Sequence, residues 1–294
     1  MHIQSRTIHD ELAFCPSSWI KKDVKDDIVL VTGAGSGIGR LLSVKFAKLG
    51  CTVVLWDVNK QGNEDTERMI KHDGGKVFSY TCDLSNKDEI YKTAERVKED
   101  VGNVTILINN AGIVTGKPLL DSPDHMIQRT FAVNILAHFW TVKAFLPDMI
   151  MMDKGHIVTI ASMAGMFGIN HLADYCSSKF AAVGFDDALR VELYADGRKN
   201  IQTTVVCPYF ISTGMFDGIN SKIFPILTPE GVADSIVNAV LTNTKMIVLP
   251  KYGYLLVIVK TLAPRKFYTH VLGLIGGTRF MNAFHGRGGG AKSD

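Results

Sequence analysis

The sequence predicts an α/β fold in a single domain, a doubly wound parallel sheet of about seven strands with helices on both faces. Three observations carry this. Short, β-branched apolar runs alternate with longer segments of helical periodicity over residues 28–250, a pattern that builds a parallel sheet covered on both sides. The first run leads straight into a glycine-rich turn, Thr32-Gly33-Ala34-Gly35-Ser36-Gly37-Ile38-Gly39, and then into a helical pattern. Finally, Asp57, Asp83, Asn109, Ser162 and Pro208 all fall at carboxyl ends of predicted strands, the edge at which such sheets bind ligands.

Residues 28–31 form the first strand. The helix after the glycine turn has Leu41, Leu42, Val44, Phe46, Ala47 and Leu49 as its apolar positions and stops at Gly50. Strand two is 52–56, ending in Asp57; a helix over 61–72 follows, then a strand over 76–82 ending in Asp83, and a helix over 87–101. The fourth strand, 104–108, runs into Asn109-Asn110-Ala111-Gly112. Residues 123–152 hold two helical stretches, with Asn134 between Val133 and Ile135. A strand over 155–161 is closed by Ser162, and a helix covers 173–191. The sixth strand, 201–206, precedes Cys207-Pro208; a helix over 229–241 and a seventh strand over 245–249 complete the alternation.

Of the 294 residues, 46% are hydrophobic and 21% charged, which supplies a sizeable core and argues against disorder. The 32 basic and 29 acidic residues leave a net charge of +3, too balanced to imply a nucleic-acid partner. Cys15, Cys51, Cys82, Cys176 and Cys207 form no C-x-x-C pair and are odd in number, which reads as buried free thiols in a reduced compartment or facing the cytosol. No metal is expected. Residues 1–26 mix charge with isolated apolar residues and read as a tail, neither signal peptide nor membrane span. Residues 27–250 read as one domain, and 251–294 as an apolar and basic extension.

Strand, glycine turn and helix in succession form a phosphate cradle. Glycines let the backbone approach a pyrophosphate, and the helix N-terminus offers unpaired N–H groups and positive potential. Asp57 lies eighteen residues beyond Gly39, where a carboxylate can accept the ribose hydroxyls of an adenosine. It would repel a 2′-phosphate, and neither Ser36 nor Val58 offers a cation to offset that. NAD is therefore favoured over NADP. The other role open to Asp57 is to cap the following helix.

Tyr175 and Lys179 stand four apart in a predicted helix, so phenol and ammonium share a face. A tyrosine is a poor base at neutral pH, with a free pKa of about 10. A nearby cation favours tyrosinate, and the Ser162 hydroxyl can hold a substrate oxygen. The set is a device for moving a proton on and off an alcohol.

With these motifs together, Thr32-Gly33-x-x-x-Gly37-x-Gly39, Asn109-Asn110-Ala111-Gly112, Asn134, Ser162 and Tyr175-x-x-x-Lys179, the chain resembles the short-chain dehydrogenase/reductase family, over residues 28–250. The resemblance implies a Rossmann-type fold with Tyr175 as general acid/base and Ser162 hydrogen-bonded to the reacting oxygen. Lys179 would lower the Tyr175 pKa and bind the nicotinamide ribose, and Asn134 would hold a water linking Lys179 to solvent. It also implies that Gly33, Ser36, Gly37, Ile38, Gly39, Asp57, Asp83, Asn109, Ala111, Gly112, Tyr175, Lys179, Pro208 and Thr213 hold the cofactor. A homodimer through the helices around Asn134 and Tyr175 is implied in the same way. Segments such as Ala137-His138-Phe139-Trp140-Thr141 and Ser178-Lys179-Phe180-Ala181-Ala182-Val183-Gly184-Phe185 are similar to the branch holding retinol and 17β-hydroxysteroid dehydrogenases. Relatives there carry an apolar N-terminal membrane segment, which residues 1–26 do not match.

The stretch from Tyr209 to Pro229 falls where that family has its substrate loop, and it is apolar, with Phe210, Met215, Phe216, Ile219, Ile223, Phe224, Ile226 and Leu227. With Ser162, Met166 and Tyr209, Met215 and Phe216 are the expected substrate pocket, suited to a long hydrophobic alcohol. Retinol is the first expectation and a 17β-hydroxysteroid the second. Beyond Pro250, apolar residues interleave with Lys251, Lys260, Arg265 and Lys266. That pattern suits a helix lying in a membrane interface and equally a helix closing the pocket or a dimer contact. The expected location is the cytosolic face of the endoplasmic reticulum or a lipid droplet, with the cytoplasm as the alternative. A binding protein on a lipid surface, keeping the nucleotide fold without catalysis, is the rival class.

Overall fold

The computed structural model describes residues 21–219, 221, 224–264, 266, 267, 270, 273, 281 and 283–286. Ile223, most of the tail and residues 287–294 lie outside the described residues. One seven-stranded sheet organises the chain, in the order β3-β2-β1-β4-β5-β6-β7, with every neighbouring pair parallel. Its strands are β1 (Ile28–Thr32), β2 (Thr52–Asp57), β3 (Val77–Thr81), β4 (Ile106–Asn109), β5 (Gly155–Ile160), β6 (Ile201–Pro208) and β7 (Met246–Leu249). The helices are α1 (Gly37–Lys48), α2 (Lys60–His72), α3 (Lys87–Asp100), α4 (Asp124–Phe131), α5 (Ala137–Met151), α6 (Ala173–Ala195), α7 (Pro229–Leu241) and α8 (Gly253–Leu262).

Alternation within the strands divides the core. Val29 and Val31 of β1, with Val53 and Leu55 of β2, face α1 and α7, where Leu42, Phe46, Val232, Ile236 and Val240 close the layer. Leu30, Val54 and Trp56 face the other way, onto Ile90 and Val97 of α3, Phe145 and Met149 of α5, and Leu189 and Leu193 of α6. Both faces of the sheet are therefore buried, which is why its strands read as continuous apolar runs.

Local chemistry sets the helix starts. Asn59 caps α2 by accepting from Gly62 N at 3.0 Å, and Asn86 caps α3 through Asp88 N and Glu89 N. Thr228 caps α7, which opens on Pro229. Such caps satisfy N–H groups that the first turn leaves unpaired. Between α4 and α5, Ala132–Leu136 forms a single π-helical turn, a widened turn of the kind found at functional sites. Asn134 is at its centre.

The strand order reverses direction at β1: the chain moves outward to β2 and β3, then returns to β4 on the other side. The crevice beyond the ends of β1 and β4 is thus the switch point at which open sheets of this class hold ligands. Cys51, Cys82, Cys176 and Cys207 are free and buried.

Candidate active site

A single cleft runs along the carboxyl edge of the sheet across this switch point, from Asp57 and Asp83 at one end to Tyr175, Met215 and Phe216 at the other. Its floor is the glycine turn. Gly33 has φ +66°, and a Cβ there would stand 2.9 Å from Ala111 Cα; one on Gly39 would stand 2.0 Å from the Gly33 carbonyl oxygen. Asn110 ties the turn to the β4 loop by donating from Nδ2 to Thr32 O at 2.8 Å. Thr32 Oγ1 accepts from Asn110 N and Ala111 N, at 3.0 and 3.1 Å.

Asp57 sits beside this turn. Its Oδ2 accepts from Gly35 N and its Oδ1 from Asn59 N, each at 2.8 Å. Since Asn59 is the cap of α2, Asp57 is held in the cleft by the backbone of two loops and does not cap the helix. Each carboxylate oxygen keeps a second lone pair for a ligand hydroxyl. Arg40 braces the same corner from behind, donating Nε to Thr66 Oγ1 at 3.0 Å and Nη2 to Gly62 O at 3.2 Å.

At the far end, Ser162 closes β5 and starts a short 3₁₀ turn, Met163–Gly165. Its Oγ accepts from Ala164 N at 3.0 Å and contacts Pro208 O at 3.3 Å. α6 brings Tyr175 and Lys179 to the same place. Both are buried, and Lys179 Nζ lies 5.8 Å from the centre of the Tyr175 ring. Burial pushes the Tyr175 phenol above its ordinary range, while a hydrogen bond with Ser162 acts the other way. Burial also lowers the Lys179 ammonium, from 10.5 to about 8. Lys179 donates to Ile160 O at 2.7 Å, which fixes the ammonium and leaves its other N–H groups for a ligand.

Asn134 is fully buried behind this pair. Its Oδ1 accepts from Ile113 N at 2.9 Å, and its Nδ2 donates to Ile113 O and Ser178 Oγ, both at 3.0 Å. Gly112 separates it from Lys179: a Cβ at Gly112 would stand 3.5 Å from Asn134 Oδ1 and 3.6 Å from Lys179 Nζ.

The cleft therefore gathers Gly33, Ser36, Ile38, Asp57, Asp83, Ala111, Gly112, Ser162, Tyr175, Lys179, Pro208, Tyr209, Thr213, Met215 and Phe216. Five expected site residues do not line it. Gly37 opens α1 and Gly39 is buried within its first turn, and Asn134 lies behind the cleft wall. Asn109, the last residue of β4, turns away and accepts from Thr141 Oγ1 of α5 at 2.8 Å. Met166 is carried off by the 3₁₀ turn and packs, as do Leu256 and Val257 of α8, against the buried cluster that holds Phe167 and Phe224. Arg129, Val133 and Ile113 line the cleft, and no motif in the sequence singles them out. The spacing of Arg129 and Val133, four apart on one helical path, is the available signal.

The match to known proteins agrees with this geometry. A family model described as short chain dehydrogenase covers residues 27–223. The chain belongs to the short-chain dehydrogenase family. It is 53% identical to short-chain dehydrogenase/reductase family 16C member 6 of Bos taurus, over 82% of this chain and 77% of that one. It is 48% identical to human (Homo sapiens) epidermal retinol dehydrogenase 2, over 90% and 87%. With estradiol 17-beta-dehydrogenase 11 of Rattus norvegicus it shares 46% identity, over 87% and 88%. Among solved structures, a short-chain dehydrogenase/reductase from Burkholderia phymatum in complex with NAD superposes with a TM-score of 0.75 at 26% identity, covering 82% of this chain and 94% of that one. A metagenomic short-chain oxidoreductase in complex with NADP gives 0.65 at 29%, over 77% and 97%.

A dinucleotide fits the dehydrogenase cleft found here. The turn under its floor closes only with glycine at 33, 35 and 39, since a Cβ on Gly35 would also stand 2.9 Å from Asp57 Oδ2. The N-terminal end of α1 opens on it through Ser36 and Ile38, giving a phosphate the donors that a helix start supplies. Gly33, Ser36 and Ile38 would hold the pyrophosphate, Asp57 and Asp83 the adenosine, and Lys179 the second ribose.

Proposed function

We propose that this dehydrogenase is NAD-dependent and interconverts a lipophilic alcohol and its carbonyl, with all-trans-retinol and retinal as the first pair to test. The observation that carries the reading is the meeting of Ser162, Tyr175 and Lys179 at the apolar end of a cleft whose other end holds Asp57. When bound, the nicotinamide supplies the hydride acceptor or donor. Ser162 orients the substrate oxygen, and Tyr175 exchanges the proton with that oxygen. Burial holds the phenol in its proton-bearing form, ready to donate to a carbonyl oxygen in the reductive direction. In the oxidative direction Tyr175 must first have given up its own proton, so that the phenolate accepts the one from the alcohol, and the neighbouring Lys179 ammonium favours the phenolate. The gap beside Gly112 is bounded by Asn134 Oδ1 and Lys179 Nζ. A water there would carry the proton on from Lys179.

Substrate class follows from the lining. Tyr209, Phe210, Ile211, Met215 and Phe216 line the cleft as an apolar run, with Phe216 edge-on to Tyr175, which favours an apolar body carrying one hydroxyl. The names of two relatives divide the choice between a retinol and an estradiol, and the 17β-hydroxysteroid is the second reading. A surface association is part of the proposal: Tyr254, Leu255, Ile258, Val259 and Leu262 of α8 are exposed beside Lys251. This favours a cytosol-facing endoplasmic reticulum or lipid-droplet surface. Among the described residues no helix is long and apolar enough to cross a membrane.

The test is NADH formation with all-trans-retinol and, in parallel, estradiol. Retinol turnover well above estradiol supports the first pair, and the reverse moves the enzyme to the steroid. No turnover of either, with NAD still bound, refutes the catalytic reading.

A further inference from the structure

We infer that a segment near the end of the chain, Met281 with residues 283–286, is the outer wall of the substrate pocket. In it, Phe284 supplies the apolar contact that a long alcohol reaches while its hydroxyl sits at Tyr175. The inference deepens the reading that the substrate is an apolar alcohol, and rests on it.

Met281 is buried in one apolar cluster with Tyr175, Leu172 and Cys176, with Val114, Ile169, Phe216, Ile219 and Phe284 packed around them. The rings form a short ladder: Tyr175 meets Phe216 edge-on at 5.5 Å, and Phe216 meets Phe284 at 6.3 Å. Phe284 is thus two ring contacts from the phenol, although 109 residues separate Phe284 from Tyr175 in sequence (284 − 175).

Two loops make room for the segment. Gly116 has φ +69°, and a Cβ on it would stand 2.0 Å from Phe284 Cε1. Gly218 has φ +87°, and a Cβ on it would stand 2.0 Å from the Ala283 carbonyl oxygen. Neither position tolerates a side chain while the segment is seated. The backbone is pinned too, His285 N and Gly286 N both donating to Asp217 O at 3.1 and 3.3 Å. The Gly116 loop continues from Gly112 and Ile113, and the Gly218 loop from Met215 and Phe216, all of which line the cleft. The segment therefore bridges the two lips of the cleft at its Tyr175 end and lies away from Asp57 and Asp83. A change in it should be felt by the substrate and not by the adenosine half of the cofactor. Its own groups, a thioether and a phenyl ring, suit an apolar partner.

The experiment compares full-length wild type, Phe284→Ala, Phe284→Leu and Gly116→Ala, with all-trans-retinol as the large alcohol and 1-hexanol as one too short to reach the wall. Thermal melting and NADH binding establish that each variant is folded and loaded. In Phe284→Ala the preference for retinol over hexanol, read as the ratio of KM values, falls about tenfold, the cost of a lost apolar contact in a pocket. Phe284→Leu falls between, and Gly116→Ala reproduces the loss by unseating the ring. A folded Phe284→Ala that keeps the wild-type KM ratio overturns the wall. The failure of the parent reading gives a different result. If wild type oxidises neither alcohol, retinol binding to the NADH-loaded protein is followed by fluorescence. Affinity lost with Phe284 keeps the wall while the reaction falls, and affinity indifferent to Phe284 overturns the wall.

Discussion

Replacing Asp57 with serine should turn the cofactor preference, and the size of the effect follows from its surroundings. The carboxylate takes Gly35 N and Asn59 N at 2.8 Å each, so it is fixed and does not swing away from an incoming phosphate. A 2′-phosphate bound at hydrogen-bonding range would sit about 4 Å from it. Two unit charges at that distance repel by about 1 kcal/mol in bulk water and about 4 kcal/mol at the effective dielectric of a protein surface. Asp57 is half-buried, which places the repulsion between these limits, about fivefold to thousandfold against NADP. Serine removes the repulsion. It also removes charge-assisted bonds to the ribose hydroxyls, at about 1.5–3 kcal/mol each, so NAD itself should weaken. The assay is kcat/KM for NAD and NADP with one alcohol at saturation. The ratio of the two should fall by about a hundredfold, the middle of the range that the charge repulsion spans. A folded Asp57→Ser enzyme whose ratio moves by less than about threefold, roughly 0.6 kcal/mol, would refute the role assigned to this carboxylate.

Further outcomes follow from the same geometry. Tyr175→Phe should lower kcat by about 10²–10⁴-fold, the usual contribution of a positioned acid/base, while NADH binding by fluorescence is retained; full turnover would end the mechanism. Gly112→Ala fits without overlap, its Cβ at ordinary contact from Asn134 Oδ1 and Lys179 Nζ, but fills the space a relay water needs. Its kcat should drop about tenfold or more with NADH affinity unchanged; weaker NADH affinity would instead assign the loss to cofactor contact. His156 gives a pH dependence. Thr204 Oγ1 donates to Thr244 O at 2.7 Å, so His156 Nε2 donates to Thr204 at 2.8 Å and its Nδ1 accepts from Lys22 Nζ at 2.7 Å. Burial, with the Lys22 charge, drives the imidazole well below its ordinary value of 6.5. Below about pH 6.5 the unfolded chain therefore binds a proton that the folded one refuses, and stability falls by about 1.4 kcal/mol per pH unit from this group. Urea midpoints between pH 7 and 5 should decline less steeply in His156→Gln, and an identical slope would remove His156 as the cause.

The sheet is legible in the sequence because every strand is an apolar run ending in a polar or turn residue, and the cleft is legible because those ends share one edge. Boundaries shift by a residue or two, as with β4, expected over 104–108 and found as Ile106–Asn109. What stays hidden is orientation. In a strand buried on both faces the two-residue alternation no longer distinguishes inward from outward, so nothing in the sequence tells that Asn109 turns to Thr141 while Ala111 and Gly112 enter the cleft. Closeness to Ser162 suggests Met166 for the pocket, and the Met163–Gly165 turn directs it under α8 instead. The contact of Phe284 with Gly116 spans 168 residues (284 − 116), and no local pattern announces it. Tyr175 carries a similar lesson in energetics: burial among Leu172, Cys176 and Phe216 raises its phenol, and no spacing in the sequence announces that enclosure.

The widened turn at Ala132–Leu136 acts as a phase shift in a helix that is otherwise continuous. A π turn holds one residue more than the α-helical path needs, so α4 and α5 on its two sides are out of step by about 100°, one residue of helical rotation. Phe145 and Met149 are buried against Trp56 and Leu107 in the register set after the shift, and Thr130 reaches Asp174 of α6 at 3.1 Å in the register set before it. Asn134 sits at the seam, where both registers are satisfied at once. Losing one residue there would leave the hydrophobic pattern of each half intact and misalign the two, so this segment tolerates substitution more readily than a change in length.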